Sequence, residues 1–445
     1  MRTVPLMHGV GTRADLPLPL SYVVVGGAAA VLVSFVALVL LWRSPRLVGA
    51  EAGQPVPRWV STLADAPQSR RALKTMVLAL TLLVLLVALV GPLGVEDNLA
   101  PWAFHVVFWV GLVPMSLVLG PVWAVANPLR TMRSGIARLV GGDSAAGLPR
   151  TWGYWPAAVL FGAFSWFELV APDRAEPPVL GAVLLAYVIA QVAAATYFGE
   201  RWLRTGEPFE VYARLLGRLA PIGRRRDGVL VWRSPLNGAD SLEPLPGLAA
   251  VAVILIGSTA YDGVSRTSWW QNGPGLGEAV VVTGTVGLVA TIAVVSALFA
   301  GACAIAGRLG GYTGATAVFA HSLLPIAAGY AIAHYFSLLV FDGQAAFILA
   351  SDPFGTGADI LGIRTRAIDY TVVSARTIAL VQVTAIVVGH VVGVVLAHDR
   401  ATRLDQQVRL TQTARAPRSA NVSQIPLLII MIAFTVGGLF ILLGG

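Results

Sequence analysis

Long, almost uncharged apolar segments are the feature that most restricts what this chain can fold into. A helix needs about 20 apolar residues to cross a bilayer, and in lipid every backbone polar group has to be bonded internally. The first such segment, "SYVVVGGAAAVLVSFVALVLLW", meets that length. The sequence therefore predicts an all-α, polytopic transmembrane helix bundle of about ten spans. The predicted spans are 20–42, 74–93, 102–125, 154–171, 179–198, 247–264, 279–306, 315–340, 372–397 and 425–443.

Composition excludes several other classes of protein. Hydrophobic residues make up 56% of the 445 residues, charged residues only 12%, and the mean hydropathy is +0.75. Soluble globular domains do not have such a composition. Cys303 is the only cysteine, which rules out an intrachain disulfide and a cysteine-based metal cluster. The net charge of +8 does not indicate nucleic-acid binding, because the arginines lie in loops between spans, where membrane insertion explains them.

The distribution of basic residues predicts the orientation. The loops 43–74, 126–153, 199–246, 307–314 and 398–424 contain 24 Lys and Arg residues, whereas the opposite set of loops, with the N-terminal tail, contains six. Basic loops stay on the cytoplasmic side during insertion. We therefore expect a protein of the cytoplasmic (inner) membrane, surrounded by the lipid bilayer, with both termini outside.

The chain is expected to form a single transmembrane domain, 1–445, without a soluble catalytic domain. It has a short extracytoplasmic tail at 1–19, a cytoplasmic arginine-rich loop at 199–246 and an extracytoplasmic Gly/Asp loop at 341–371. In the arginine-rich loop, "FEVYARLLGRLAPIGRRRDG" has the pattern of an amphipathic helix on the anionic inner leaflet. An ordinary positively charged loop fits it equally well. "SDPFGTGADILG" is expected to form ordered turns over the outer mouth of the bundle.

Titratable side chains at the outer ends of several spans are the main candidates for a site, because such groups are costly in a membrane. His105, Glu168, Asp262 and His334 are expected at similar depth, with Glu168 and Asp262 as catalytic carboxylates. Imidazole and carboxylate ligands together suit a divalent metal or copper, which would activate a water molecule. Three further residues belong to this outer group: Asp342, Arg376 and His8. For Arg376 the simpler interpretation is an ion pair with a carboxylate such as Asp369.

A second group lies nearer the cytoplasm. His321 and His390 are expected at similar depth on consecutive antiparallel spans, as metal ligands, as a proton relay, or as polar contacts between helices. His398 is expected to be exposed at the inner surface. His321 and His334 are 13 residues apart, a spacing that occurs in di-haem spans. The matching position before His390 is Thr377, so haem is not expected.

Several stretches resemble a known family. "HGVGTRADLPLPL", "FSWFELVAPD", "YDGVSRTSWW", "AHSLLPIAAGYAIAHY" and "SDPFGTGADILG" are similar to the actinobacterial membrane proteins named fenitrothion hydrolase-like, over most of the chain. The resemblance implies hydrolysis of an organophosphorothioate ester by a membrane-associated system, and it assigns no catalytic residue. The leading hypothesis is therefore a metal-dependent phosphoester hydrolase whose site is at the outer face. The alternatives are a metal-ion or proton-coupled transporter, or a non-catalytic subunit with other membrane subunits as partners.

Overall fold

The structure, a computed structural model, is a bundle of long helices and confirms the all-α fold class. It describes residues 19–139, 146–277, 279–411 and 420–444. The ten long helices are α1 (Leu20–Leu41), α2 (Pro67–Val90), α3 (Leu99–Leu119), α4 (Trp155–Leu169), α5 (Pro177–Phe198), α6 (Leu248–Ser265), α7 (Val280–Gly310), α8 (Leu324–Leu349), α9 (Ala375–Thr411) and α10 (Ala420–Gly444). In these ranges, nine helices are long and apolar enough to cross a membrane, with α8 counted from Ala315.

The fourth predicted span, α4, is a helix of only 15 residues and is the one that falls short of that length. Its first turn begins beside the start of α6, where the Tyr154 N–H donates to the Pro246 carbonyl at 2.7 Å. Its last turn carries Glu168, which contacts His105 near the start of α3. Helices α3 and α6 run in opposite directions, so their first turns lie at opposite ends of the bundle. Because α4 reaches from the start of α6 to near the start of α3, it covers most of the distance between these two ends.

Helix α3 departs from regular α-helical geometry. Residues Trp102–Val110 form a π-helical stretch, and the Gly111 N–H donates to the Val106 carbonyl, five residues earlier. Wider turns of this kind are rare in proteins, and those that occur are often found at functional sites. His105 lies within this stretch and is buried.

Helix α8 is the centre of the bundle. Of the residues in its most apolar window 78% are buried, against 61% for α6, the next most buried. A short helix, Ala315–Phe319, and a 3-10 turn, Ala320–Leu323, precede it, and Pro325 occupies its first turn, where a missing N–H costs nothing. The helix continues to Leu349, so the Gly/Asp loop begins at residue 350 rather than at 341.

Close backbone packing joins α8 to α9. A Cβ atom built on Gly389 would lie 2.6 Å from the Pro325 carbonyl oxygen, and one built on Gly393 would lie 2.7 Å from that of Ser322. Gly329 of α8 likewise approaches the Ala385 carbonyl of α9. Only glycine permits this approach, which is how small residues bring transmembrane helices together.

The basic segments assemble into one layer at one end of the bundle, which we call the arginine-rich layer (residues 43–66 and 199–247). Three short strands join its two segments: β1 (Gln54–Pro55), β2 (Ile222–Arg224) and β3 (Leu230–Trp232). They pair antiparallel in the order β1-β3-β2, with Trp232 opposite Gln54 on one side and Ile222 on the other. The shorter helices, in this layer and elsewhere, are Arg58–Asp65, Trp123–Ala126, Pro128–Leu139, Glu200–Thr205, Pro208–Leu216, Pro235–Asp240 and Ser268–Gln271, with 3-10 turns at Gly49–Glu51, Arg150–Trp152 and Gly217–Leu219.

The helix Pro208–Leu216 corrects the expectation of an amphipathic helix on the leaflet surface. Eight of its nine residues are buried. Phe209 packs among aromatic rings of α3 and α4, with ring centroids 5.1 Å from those of Phe108 and Phe164. The apolar face that the sequence pattern assigned to lipid is therefore covered by the protein itself.

The loop after α8 is ordered, as its turn residues predicted. Asp352 accepts hydrogen bonds from the backbone N–H groups of Thr356 and Gly357 at 2.9 and 2.8 Å. Asp359 accepts from the Ser351 hydroxyl and the Arg364 N–H. Such side-chain caps hold the backbone in tight turns.

Candidate functional site

Asp262 of α6 is the most heavily bonded carboxylate of the predicted outer group. His334 of α8 lies with its Nε2 2.7 Å from one carboxylate oxygen, and the Tyr335 hydroxyl donates to the same oxygen at 3.2 Å. The other oxygen accepts from Arg266, from Nη2 at 2.7 Å and from Nε at 3.1 Å. Asp262 and His334 are both buried. Two residues that were predicted at similar depth, 72 positions apart in sequence, are therefore in direct contact.

His105 and Glu168 form a second pair. The His105 Nδ1 lies 2.5 Å from the Glu168 Oε2, and the side chains are 5% and 12% exposed. Among the described residues the His105 Nε2 has no hydrogen-bond partner. The contact brings together the π-helical stretch of α3 and the last turn of α4.

The two pairs lie near each other. Helices α3 and α8 pack together, and the Tyr335 phenol is within electrostatic range of both Asp262 and Glu168. We refer to His105, Glu168, Asp262 and His334 as the His–carboxylate layer. In each pair one imidazole nitrogen stays without a partner among the described residues: Nε2 of His105 and Nδ1 of His334. The layer can therefore accept a proton on each of two imidazole rings.

The charges of the two pairs differ. Arg266 balances the Asp262 carboxylate, so the pair with a neutral His334 has no net charge. The structure shows no cation beside Glu168 within the described ranges, and with a neutral His105 that pair carries one negative charge in a largely buried position.

Asp342 lies two turns beyond His334 on α8. It is 6% exposed, and its Oδ2 has no hydrogen-bond partner in the described part of the chain. It lies about 12 Å further along α8 than His334, at about 1.5 Å per residue. Arg376 is exposed at the start of α9, and no ion pair joins it to a described residue. Asp369, its expected partner, instead accepts hydrogen bonds from Thr371. His8 lies outside the described residues.

The inner histidines, His321 and His390, do not hydrogen-bond each other. The His321 Nδ1 contacts the Val318 carbonyl at 3.0 Å, and the His390 Nδ1 contacts the Ile386 carbonyl at 2.8 Å. A ring nitrogen beside a carbonyl oxygen carries the proton, so the other nitrogen of a neutral ring is an acceptor. Among the residues described, the His390 Nε2 lacks a hydrogen-bond partner, whereas the His321 ring also interacts with the Leu396 carbonyl of α9. The expectation for His398 was wrong: it is buried, between Gln424 and the Trp42 carbonyl.

The sequence reasoning missed a buried polar cluster at the arginine-rich layer. Glu207 and Glu210 are 1% and 0% exposed. The Asn127 Nδ2 donates to both, at 3.2 and 3.1 Å, and Arg130 binds Glu210 through two nitrogens. Tyr187 donates its hydroxyl proton to Glu207. The available signal was an acidic residue directly before a proline, in "GEPFE", which is an N-cap pattern.

Glu207 has an unusual protonation equilibrium because it is buried and, among the described residues, has no cationic partner. Burial raises the pKa of this carboxyl to about 7, and the neighbouring Glu210 carboxylate acts in the same direction. Hydrogen bonds from the backbone N–H groups of Phe209 and Glu210, at 3.0 and 2.7 Å, oppose the rise. The group therefore takes up or releases a proton near neutral pH.

No three His, Cys, Asp or Glu side chains converge as metal ligands in the described ranges. The donor chemistry of the His–carboxylate layer suits a metal, but Asp262 is already bonded by Arg266, His334 and Tyr335. A cation there would lie beside a guanidinium. The predicted metal stays a prediction.

Comparison with known proteins does not assign the chain to a family. No family model matches the chain, and no curated protein or solved structure matches it. The resemblance to fenitrothion hydrolases therefore remains an expectation from the sequence.

Proposed function

We propose that this integral membrane protein moves protons as part of a transport process, with the His–carboxylate layer as its proton-binding site. The observation that carries the proposal is the set of titratable side chains on α8, the most buried helix. His321, His334 and Asp342 are all buried on it or in the turn that leads into it. At about 1.5 Å per residue, His321 and Asp342 are roughly 30 Å apart, about the thickness of the hydrocarbon core.

The pair His105–Glu168 is the natural entry to such a path. Protonation converts a buried negative pair into a neutral one, which lowers its desolvation cost. Tyr335 links this pair to Asp262, because its phenol interacts electrostatically with both Glu168 and Asp262. Its hydroxyl also donates a hydrogen bond to Asp262. Intramembrane histidine and carboxylate series of this kind mark proton paths in pumps and transporters.

The test is voltage-driven proton flux in proteoliposomes that contain a trapped pH indicator. We expect the protein to raise the flux above that of empty liposomes, and Glu168→Gln to lower it by about tenfold or more. Asp369→Asn, which neutralises an exposed carboxylate of the loop after α8, is the matched control and should keep the flux. Flux equal to that of empty liposomes, or a Glu168→Gln variant as active as the parent, would reject the proposal.

A metal-dependent phosphoester hydrolase is the second candidate, and the donor chemistry of the same four residues favours it. His105 and Glu168 offer an imidazole nitrogen and carboxylate oxygens, which are ligands for zinc or copper. Elemental analysis and an absorption spectrum of the purified protein, with organophosphorothioate hydrolysis, test it. Metal content and hydrolysis that survive alanine substitution of all four residues would exclude it.

A further inference from the structure

A cavity between five helices is the strongest feature that the proposed function does not use. It has a volume of about 320 Å³ and lies between α6, α7, α8, α9 and α10. Its walls are almost entirely apolar, with contributions from Ile256, Tyr330, Phe434 and Gly437. A cavity of this size falls at the lower end of the range for small-molecule sites.

Three residues with polar side-chain atoms line this cavity: Thr291, Tyr330 and His390. His390 is 1% exposed. Its Nδ1 is engaged by the Ile386 carbonyl at 2.8 Å, whereas its Nε2 has no hydrogen-bond partner among the described residues. A buried polar atom without a partner costs free energy, so a ligand that bonds it gains affinity.

The tautomer of His390 selects the ligand. A carbonyl oxygen accepts only, so the Nδ1 beside Ile386 carries the proton of the neutral ring. The Nε2 is then a hydrogen-bond acceptor and requires a donor. A ketone or an ether has none, whereas an alcohol or a phenol has one.

We infer that this cavity binds a neutral, largely apolar molecule that carries a hydroxyl group, and that the hydroxyl donates its proton to the His390 Nε2. Given the volume, the occupant has the size of an aromatic or alicyclic ring compound and is smaller than a whole lipid. The inference is independent of the His–carboxylate layer, since none of the four residues of that layer lines the cavity.

The probe is 2-naphthol, compared with 2-methoxynaphthalene, which has the same ring system and no hydroxyl donor. Calorimetric unfolding of the full-length protein in detergent measures the rise in Tm with ligand concentration, because a ligand that binds only the folded state stabilises it. We expect a saturable rise with 2-naphthol and about tenfold weaker binding of the ether, the loss of one hydrogen bond.

Two substitutions locate the site. Gly437→Leu should abolish the rise, because a Cβ at Gly437 meets no atom within 4 Å and the added side chain fills the cavity. Gly26→Leu is the matched control, since a Cβ at this exposed glycine of α1 also meets nothing within 4 Å and Gly26 lies outside the cavity. The rise in Tm of the Gly26→Leu variant with 2-naphthol should equal that of the parent protein.

His390→Phe should weaken 2-naphthol about tenfold and leave the ether unchanged. Equal binding of the two probes to the parent protein would overturn the hydroxyl-to-histidine contact. A rise that persists in Gly437→Leu would overturn the site itself. Both of these outcomes are read without the His390 variant, so the inference is testable even where that variant does not fold.

Discussion

At the scale of single residues, the buried carboxylates differ in how their charge is balanced. Glu210 is bound by Arg130 and Arg214, the latter at 2.7 Å. Glu207 accepts hydrogen bonds from Asn127 and Tyr187, and no cation pairs with it in the described part of the chain. The two residues are three positions apart and lie in one cluster, and burial raises the pKa of Glu207 to about 7. A buried acid of this kind makes folding depend on pH.

The substitution Glu207→Gln should remove part of that dependence. The pKa of Glu207 is about 7 in the folded protein against an ordinary value of 4.5, so the folded state holds this proton more tightly. The resulting stabilisation is complete below pH about 4.5 and is lost as the pH rises through about 7, by a few kcal/mol at most. Thermal unfolding of the parent in detergent should thus shift to lower temperature between pH 5 and 8.

Glutamine is neutral throughout this range, so the variant should show a clearly flatter profile. The exposed carboxylate Glu243 lies in the same arginine-rich layer, and Glu243→Gln should keep the slope of the parent. Parallel plots of unfolding temperature against pH for the parent and Glu207→Gln would contradict the prediction, because they would show that Glu207 is ionised across this range.

Pairing between residues was only partly predictable from the sequence. His334 and Asp262 were assigned to one depth because each lies near an end of its span, and depth follows from counting residues along a helix. Which helices are neighbours does not follow from counting. The contact of His105 with Glu168 and the separate backbone bonds of His321 and His390 depend on that order.

At the scale of helices, the contact between α8 and α9 depends on glycines. Gly389→Ala should lower the free energy of unfolding by about 1–3 kcal/mol, because its Cβ would lie 2.6 Å from the Pro325 carbonyl oxygen and the helices would have to separate. Gly301→Ala in α7 meets no atom within 4 Å. It should be neutral or slightly stabilising, since alanine has the higher helix propensity. Thermal unfolding in detergent compares the two, and equal effects would contradict this account of the contact.

The sequence predicted the long helices well because a run of about 20 apolar residues has one stable form in lipid. It failed for Pro208–Leu216, and the reason is physical. A short helix with one apolar face is compatible with a lipid surface and with a protein interior. The local sequence pattern does not distinguish these two environments. The aromatic pocket formed by α3 and α4 decides in favour of the protein interior.

At the scale of the whole molecule, the two ends of the bundle are built differently. One end is closed by the arginine-rich layer, which is tied to α9 through buried charges. Asp399 accepts from the Arg46 N–H at 2.6 Å, and Asp240 binds Arg400 and Arg403, each at 3.0 Å. The loop after α8, at the opposite end, carries Asp352 and Asp359 in tight turns. Insertion rules predict that the basic end faces the cytoplasm.

Single cysteines test this orientation in cells. Thr365→Cys lies in the exposed part of the loop after α8, and Asp227→Cys lies in the exposed turn between β2 and β3. Cys303 is fully buried, so the parent protein should react little with a membrane-impermeant maleimide. We expect intact cells to label Thr365→Cys and to label Asp227→Cys only after permeabilisation. The reverse pattern would invert the bundle, place the His–carboxylate layer on the cytoplasmic side, and make His105–Glu168 an exit rather than an entry for protons.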